Sequence, residues 1–488
     1  MSLMRQYYET AIGVEVHAEL NTKTKIFCGC STAFGSESNS NVCPVCSGQP
    51  GTLPVLNEAV VESAVKLGLV LGCSINQNSF FDRKNYFYPD LPKAYQISQF
   101  YTPICVKGSL EIELNGSKKN IGIREIHIEE DAGKLIHSNG DTFIDYNRAG
   151  VPLLEIVTMP DFRNADELIC FLEKLRETML YLEICDCKME QGSLRVDLNL
   201  SINIPGDELG TRTETKNLNS FKAIRQALEY EKIRQIEIVS SGKKVIQETR
   251  RWNEEKNCSY PMRSKENDHD YRYFREPDLQ RLTIGDEYLK KIHSSLPELA
   301  HDKYRRFIKD YGISEEIAVQ ICSSKNIAGI FEDIVNKSGE PKEAANLVTG
   351  ELLRFINSSN LDQYTMKIDV DKLSYCIALL CQNKINRAIY KELINKIFYD
   401  NIDPQKFVNE NNLLLVNDDN LVIDAVENVI RNNLKDAEDY ISGKEKVFAY
   451  FMGLVMKDLG GKASPSTVKN VLSEYLNNYK SERSKAHV

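Results

Sequence analysis

The stretch Ile12-Gly13-Val14-Glu15-Val16-His17-Ala18-Glu19-Leu20 alternates without a break. Every even position is apolar or small, so the period of two predicts a strand that buries Ile12, Val14, Val16, Ala18 and Leu20. Glu15, His17 and Glu19 then stand on the opposite face, successive ones roughly 7 Å apart. A carboxylate and an imidazole at that spacing suit a divalent cation that also holds phosphate oxygens. A plain solvated sheet face is the alternative for any one such strand. Further segments repeat the pattern. Ile126-His127-Ile128-Glu129-Glu130-Asp131 ends in consecutive acids, whose mutual repulsion calls for a cation or for solvent. Ser193, Arg195, Asp197 and Asn199 alternate with Leu194, Val196, Leu198 and Leu200. Thr211-Arg212-Thr213-Glu214-Thr215-Lys216 precedes a predicted turn at Asn217-Leu218-Asn219. If these strands adjoin, their polar faces form a basin able to hold Mg²⁺ and a nucleoside triphosphate. One wet face per strand predicts a mainly antiparallel α+β domain. In this reading His127 and His137 are structural histidines.

Two helices punctuate these strands. Asn164 with Glu167 has the capping-box pattern, followed by Leu168, Leu172, Leu175, Met179 and Leu182 at helical spacing. A second helix is predicted from about Ser220 to Ile238, stopping at Gly242. Beyond about Leu279 the chain turns helical, which divides it into an α+β domain over 1–296, a helical domain over 297–409 and a small helical tail over 410–488. The tail is electrically split. Residues 401–442 carry nine acids and three bases (3 − 9 = −6), and residues 443–488 carry eight bases and four acids (8 − 4 = +4). Lys444, Lys446, Lys457, Lys462, Lys469, Lys480, Arg483 and Lys485 lie on a predicted helix pair, as a solvated face or a nucleic-acid contact.

With 488 residues, 42% of them hydrophobic, the chain has material for several buried cores, and overall disorder is excluded. It has no apolar run long enough to span a bilayer, and the opening residues lack the character of a signal or transit segment. The expectation is a soluble, cytoplasmic protein. The net charge of −9 excludes a protein that coats nucleic acid by bulk charge, though not a local basic site.

Thirteen cysteines is an odd number, and a disulfide framework does not fit. Four of them cluster as Cys28-Gly29-Cys30 and Cys43-Pro44-Val45-Cys46. Two close pairs joined by a short loop can wrap one tetrahedral Zn²⁺ in four thiolates, a closed and therefore structural site. Ordinary core or surface thiols are the alternative, and the remaining cysteines read as small apolar residues.

From Phe81 to Gln96, Arg83, Lys84 and Lys93 interleave with Phe81, Tyr86, Phe87, Tyr88 and Tyr95. Such a loop suits stacking on a base or ribose beside phosphate contacts, or simple packing. Met262-Arg263-Ser264-Lys265 through Asp270-Tyr271-Arg272-Tyr273-Phe274 has the same character. There is no GxxxxGK[ST] loop, no GxGxxG turn and no GxSxG elbow. Phosphoryl transfer remains open, because it asks for metal and cationic clamps more than for covalent chemistry.

Taken in order, IGVEVHAEL (12–20), FDRKNYFYPDLPKAYQISQ (81–99), IHIEEDAGK (126–134), DYNRAGVPLLEIV (145–157), MEQGSLRVDLNLS (189–201), KNLNSF (216–221) and MRSKENDHDYRYFREPDL (262–279) resemble the GatB family. These are B subunits of aspartyl/glutamyl-tRNA amidotransferases. GLVMKDLGGKASPSTVKNVL (453–472) resembles the family's C-terminal tail, so the likeness spans nearly the whole chain. The resemblance implies a cradle-shaped α+β domain with a kinase site similar to that of glutamine synthetase, a helical domain, and a tail that reaches tRNA. It implies that ATP and Mg²⁺ phosphorylate the side-chain carboxylate of Glu mischarged on tRNA(Gln), or Asp on tRNA(Asn). Ammonia from an amidase A subunit then displaces phosphate, and a small C subunit ties the other two together. By motif, Glu15, His17 and Glu130 would hold the Mg²⁺, with Glu214 and Glu129 nearby. Lys84 and Lys93 would meet the phosphates, and Arg195 with Ser193 would face the nucleotide or the aminoacyl end. Cys28, Cys30, Cys43 and Cys46 would hold structural Zn²⁺, which some relatives lack. The chain departs from the family at Arg275, where Pro is usual, and at Leu347, where Trp is common. It has no Ser-Ser-Lys amidase site. The rival reading is a zinc-bearing tRNA-binding scaffold with a passive basin.

Overall fold

The computed structural model describes residues 8–264, 268–415, 419–460 and 463–486. Residues 1–7, Lys265 and Lys462 lie outside the described residues, as do the side chains of Arg263, Ser264, Arg483 and Lys485. The chain divides into two units, Met1–Leu299 and Ala300–Val488.

Among the described residues, the first unit contains sixteen strands in chain order. They are β1 (Glu9–Glu19), β2 (Ser74–Ile75), β3 (Asn78–Ser79), β4 (Asp82–Asn85), β5 (Tyr95–Ser98), β6 (Cys105–Leu114), β7 (Ser117–Glu130) and β8 (Lys134–Ser138). Then follow β9 (Asp141–Asp145), β10 (Pro152–Thr158), β11 (Leu194–Asn203), β12 (Thr213–Leu218), β13 (Glu248–Asn253), β14 (Cys258–Ser264), β15 (Phe274–Arg275) and β16 (Leu282–Thr283). Nine of them form one sheet in the order β14-β13-β12-β11-β1-β10-β7-β6-β2, so the opening strand is its centre. All neighbours in it run antiparallel except β12 and β13. The sheet is therefore mainly antiparallel, as its one-wet-face strands require.

The apolar side of each strand faces helices. Ile12, Val14, Val16, Ala18 and Leu20 are all buried, together with Leu194, Val196, Leu198 and Leu200. Helices Glu58–Val70, Ala165–Tyr181 and Phe221–Ser240 cover this side and complete one core, where Phe162 meets Phe171 edge-on at 5.1 Å. The capping box is shifted by one residue. Asn164 Oδ1 accepts the Glu167 N–H at 2.9 Å, but the Glu167 carboxylate takes the N–H of Arg163 and the ammonium of Lys119. Asn164→Ala is expected to lower the stability of this unit by about 1 kcal/mol, read from a urea transition, with Asn164→Asp close to wild type. The predicted turn at 217–219 is not a turn until its end: β12 runs on through Leu218, and Ser220 caps the next helix. The predicted aromatic loop contains β4 and β5, which join β15 in a small sheet. Arg275, the departure from the family pattern, lies over the Phe80 ring at 3.7 Å.

The second unit is helical, from Ala300–Tyr311 to Pro465–Ala486. It holds one apolar cluster running from Phe307 to Val408 and another from Val422 to Leu476. Leu347, the other departure, is buried and opens a π-helical turn, Leu347–Leu352, inside the continuous helix 341–359. Lys444, Lys446, Lys457, Lys469 and Lys480 are exposed on or beside the two last helices. Among the described residues, no helix is long and apolar enough to cross a membrane.

Candidate active site

Antiparallel register writes the polar face as rows across strands. Glu155 on β10 lies opposite His127 on β7 and His17 on β1, and His17 lies opposite Arg195 on β11. One step along, Glu15 faces Asp197, and then Asn199 faces Glu214 on β12 and Glu214 faces Thr249 on β13. Two groups of ligand atoms result. In the first, His17, Glu129 and Glu155 bring atoms within 4.8 Å of one another; in the second, Glu15, Asp197 and Glu214 do the same.

The first group is held by imidazoles. His127 Nε2 is 2.8 Å from Glu155 Oε2, and His17 Nε2 is 3.5 Å from the same oxygen and 3.8 Å from Glu129. Burial alone would push the His17 ring down, but the Glu155 and Glu129 carboxylates outweigh it and raise its pKa to about 9. Glu155 answers in the opposite sense: burial would raise it, and the two imidazoles hold it well below the usual carboxylate range.

The second group is held by an ammonium and an amide. Lys216 Nζ lies 2.5 Å from Asp197 and 3.0 Å from Glu214. Asn199 donates its amide N–H to Glu15 at 3.1 Å, and Thr249 donates its hydroxyl to Glu214 at 2.8 Å. Burial first, then the neighbouring Glu155 and Glu214, raise the pKa of Glu15. Two carboxylate-rich sets, one with an imidazole, are the donor chemistry that hard divalent cations take.

Above this floor lies a cavity of about 580 Å³ that reaches both groups and is walled by Lys84, Tyr86, Phe100, Tyr271 and Tyr273. Lys84 Nζ sits 5.1 Å from the centre of the Tyr271 ring. Burial opposes its charge, yet Tyr273, Glu129 and Glu155 around it raise its pKa well above that of an ordinary lysine. A neighbouring cavity of about 480 Å³ is lined by Asp131, Arg195, Asn217 and Arg251. The two share His17, Lys84, Tyr86, Glu129 and Lys216. Arg195 donates to Asp131 at 2.6 Å; burial would raise that carboxyl, and Arg195 with Arg148 holds it down.

Of the residues singled out from sequence, the structure brings together Glu15, His17, Glu129, Glu214, Lys84 and Arg195 around these cavities. It does not bring Glu130 there. Consecutive strand residues face opposite sides, so where Glu129 enters the basin Glu130 turns away. Glu130 accepts Lys93 Nζ at 2.5 and 2.6 Å and the Ile97 N–H at 2.8 Å. Lys93 is thus separated from Lys84 and lines a small cavity of about 80 Å³ beside the cysteine loop. Ser193 is likewise occupied elsewhere: its hydroxyl bonds Asp186 and accepts the Lys188 N–H at 2.8 Å, closing the turn before β11. Sequence reading missed Glu155, Asp197 as a ligand, and Lys216; His127, read as structural, bonds Glu155 and belongs to neither ligand group. The strand Pro152–Thr158 is apolar at all but Glu155 and Thr158, and a lone acid in such a run was the available signal.

The cysteine loop packs beside this sheet. The four sulfurs of Cys28, Cys30, Cys43 and Cys46 lie within 4.8 Å of one another, and those of Cys43 and Cys46 are 3.9 Å apart. Four thiolates on a tetrahedron with ~2.3 Å metal bonds stand about 3.8 Å apart, so the set fits Zn²⁺. Lys25 has no exposed surface and points its Nζ at Cys46 Sγ, 3.5 Å away, and at the Tyr146 carbonyl. Among the described residues no carboxylate pairs with it, so the Cys46 sulfur is its anionic partner. The Cys46 thiol is pushed down to about 4, first by the Cys28 hydrogen bond, against the effect of burial, with the Cys43 N–H and Lys25 helping.

Comparison with known proteins matches this architecture. The model described as the GatB/GatE catalytic domain matches residues 10–290, and that described as the GatB domain matches residues 329–476. The B subunit of an aspartyl/glutamyl-tRNA(Asn/Gln) amidotransferase from Lachnoclostridium phytofermentans is 52% identical over 96% of this chain and 99% of its own. Proteins of the same name from Caldicellulosiruptor bescii and Agathobacter rectalis are each 49% identical over the same shares. With its sheet domain and most of its helical part matched in order, and its relatives covered end to end, the chain belongs to the GatB family.

Proposed function

We propose that this chain activates the side-chain carboxylate of Glu on tRNA(Gln), or Asp on tRNA(Asn), with ATP and exchanges the resulting phosphate for ammonia. The observation that carries the reading is the pair of ligand groups set side by side on one sheet face, beneath two cavities that share a wall. The larger cavity, with Lys84 and its aromatic wall, suits the nucleotide. The adjoining one, with Arg195, Asn217 and Arg251, suits the aminoacyl end. In the step itself a carboxylate oxygen bonds to the γ-phosphorus while the bond to the ADP oxygen breaks. Ammonia then adds to the carbonyl carbon, phosphate leaves, and nitrogen gives up a proton. A carboxylate resists ammonia, and an acyl phosphate does not. Mg²⁺, held by His17, Glu129 and Glu155 or by Glu15, Asp197 and Glu214, would offset charge on the phosphate oxygens. Lys84 adds a fixed positive charge, and Arg195, braced by Asp131, orients the substrate.

In this reading the amide donor chemistry belongs to an amidase A subunit, joined to this chain through a small C subunit, in the cytoplasm, and Zn²⁺ at the four cysteines is structural. The division into a cradle over 1–296, a helical domain over 297–409 and a tail over 410–488 is part of it, with the exposed tail lysines meeting tRNA. The relatives' name supplies the substrate class. The test is ATP cleavage by the assembled complex. Mischarged Glu-tRNA(Gln) or Asp-tRNA(Asn) should stimulate it, and Glu15→Ala or His17→Ala should abolish amide formation while tRNA affinity stays. Undiminished amidation by both variants would leave only the scaffold reading.

A further inference from the structure

We infer that Lys216 is a movable cation, which neutralises the Glu15, Asp197 and Glu214 group when no divalent ion is bound and moves onto the transferring phosphoryl group when one is. The inference rests on the function proposed above. It starts from a difference between the two ligand groups. The first is balanced by the imidazoles of His17 and His127, and among the described residues no lysine or arginine lies within ion-pair distance of Glu155 or Glu129. His17 can itself be a ligand, so nothing there has to leave when a cation arrives. The second is balanced by an ammonium, 2.5 Å from Asp197 and 3.0 Å from Glu214, at the place a divalent ion would take. An ammonium cannot ligate a metal, so the two cations exclude one another.

A second observation points to an ion at that place. Asn199 is 7% exposed, and although its amide nitrogen donates to Glu15, its buried Oδ1 has no hydrogen-bond partner. A buried amide oxygen is rarely left unpaired. Among these carboxylates the missing partner is a positive group, because amide oxygens and carboxylates together are hard-cation donors.

Where Lys216 would go follows from its position. Its side chain is 40% exposed, on a flexible four-carbon stem, and it belongs to the wall shared by the nucleotide cavity and the adjoining one. The phosphoryl group must cross that wall in passing from nucleotide to carboxylate. A displaced ammonium there meets the equatorial oxygens as the carboxylate oxygen bonds to phosphorus and the ADP oxygen departs. It lends charge and exchanges no atoms.

The experiment is a Mn²⁺ titration of the assembled complex by electron paramagnetic resonance, paired with single-turnover amidation, on wild type, Lys216→Met, Lys216→Arg and Glu15→Gln. Lys216→Met is expected to bind Mn²⁺ at least about tenfold more tightly at the site that Glu15→Gln weakens, since its competitor is gone. The same variant is expected to lose about 10²–10³-fold in amidation rate, and Lys216→Arg to recover part of that rate. A merely structural lysine would weaken both readouts together, and that result overturns the inference. Tighter Mn²⁺ binding with an unchanged rate overturns it too, while an inactive Glu15→Gln leaves the proposed function standing. Full activity and wild-type Mn²⁺ binding in Glu15→Gln would overturn this inference and leave the proposed function to the His17, Glu129 and Glu155 group.

Discussion

Glu155→Gln is expected to reduce amide formation by the assembled complex by about 10²–10³-fold, a loss that raising Mg²⁺ does not fully restore. The carboxylate stands between His127 at 2.8 Å and His17 at 3.5 Å, and it is one of three ligand atoms in the first group. Replacing it with an amide keeps the volume but removes the charge nearest to both rings, since Glu129 stands 3.8 Å from His17 and 3.9 Å from His127. Buried imidazoles facing each other across a neutral side chain then lose their orientation, and Glu129 is left as the sole acid of the group. Removing one partner of a buried charged cluster commonly costs about 3–5 kcal/mol in that site's integrity. The measurement is a rapid-quench assay on mischarged tRNA, with tRNA affinity and the thermal midpoint determined alongside. Loss of rate with unchanged tRNA affinity is the expected pattern. A variant that amidates at the wild-type rate would show that the first group takes no part in the chemistry.

Zn²⁺ is proposed at the four cysteines, and its removal by chelation or by Cys46→Ser is expected to unfold the segment that carries them and lower the thermal midpoint of the sheet domain. Structural zinc contributes an apparent 10–16 kcal/mol in small peptides at about neutral pH, part of it offset by deprotonating the ligands. Here the loss is compounded. Lys25 is fully buried against Cys46, and in Cys46→Ser its charge has no anionic partner among the described residues. Lys25→Met in the same assay should leave zinc bound but release it faster to a chelator, with Lys25→Arg between the two. Elemental analysis, chelator kinetics and limited proteolysis over residues 31–42 report these outcomes. Zinc-free protein with an unchanged midpoint would refute a structural role.

Much of this was legible in the chain itself. Period-two alternation in residues 12–20 and 194–200 fixed which side chains are buried and which are polar, since one face of each strand had to be covered. The cysteine spacing was equally plain. What the linear chain withholds is strand order. Nothing in residues 152–158 says that β10 lies between β1 and β7, and only that placement turns Glu155 into the partner of two histidines. Acids in succession misled for a related reason. Glu129 and Glu130 are neighbours in sequence but open onto opposite sides of the sheet, one toward the basin and one toward Lys93. Lys216 was visible as a residue and invisible as a role, because its meaning depends on Asp197 from another strand.

The ligand rows and the apolar core are two sides of the same central strands, and this has a consequence for motion. Amide hydrogens of β1, β10 and β11 are bonded on both flanks within the nine-stranded sheet. Their exchange with solvent deuterium should therefore require cooperative opening of the whole sheet. The wall of the basin is built differently, from Tyr271 and Tyr273 on a short segment that leads into β15, whose partner is β4 of the small sheet. Its amides should exchange far sooner, so substrates meet a yielding entrance over a floor that does not rearrange.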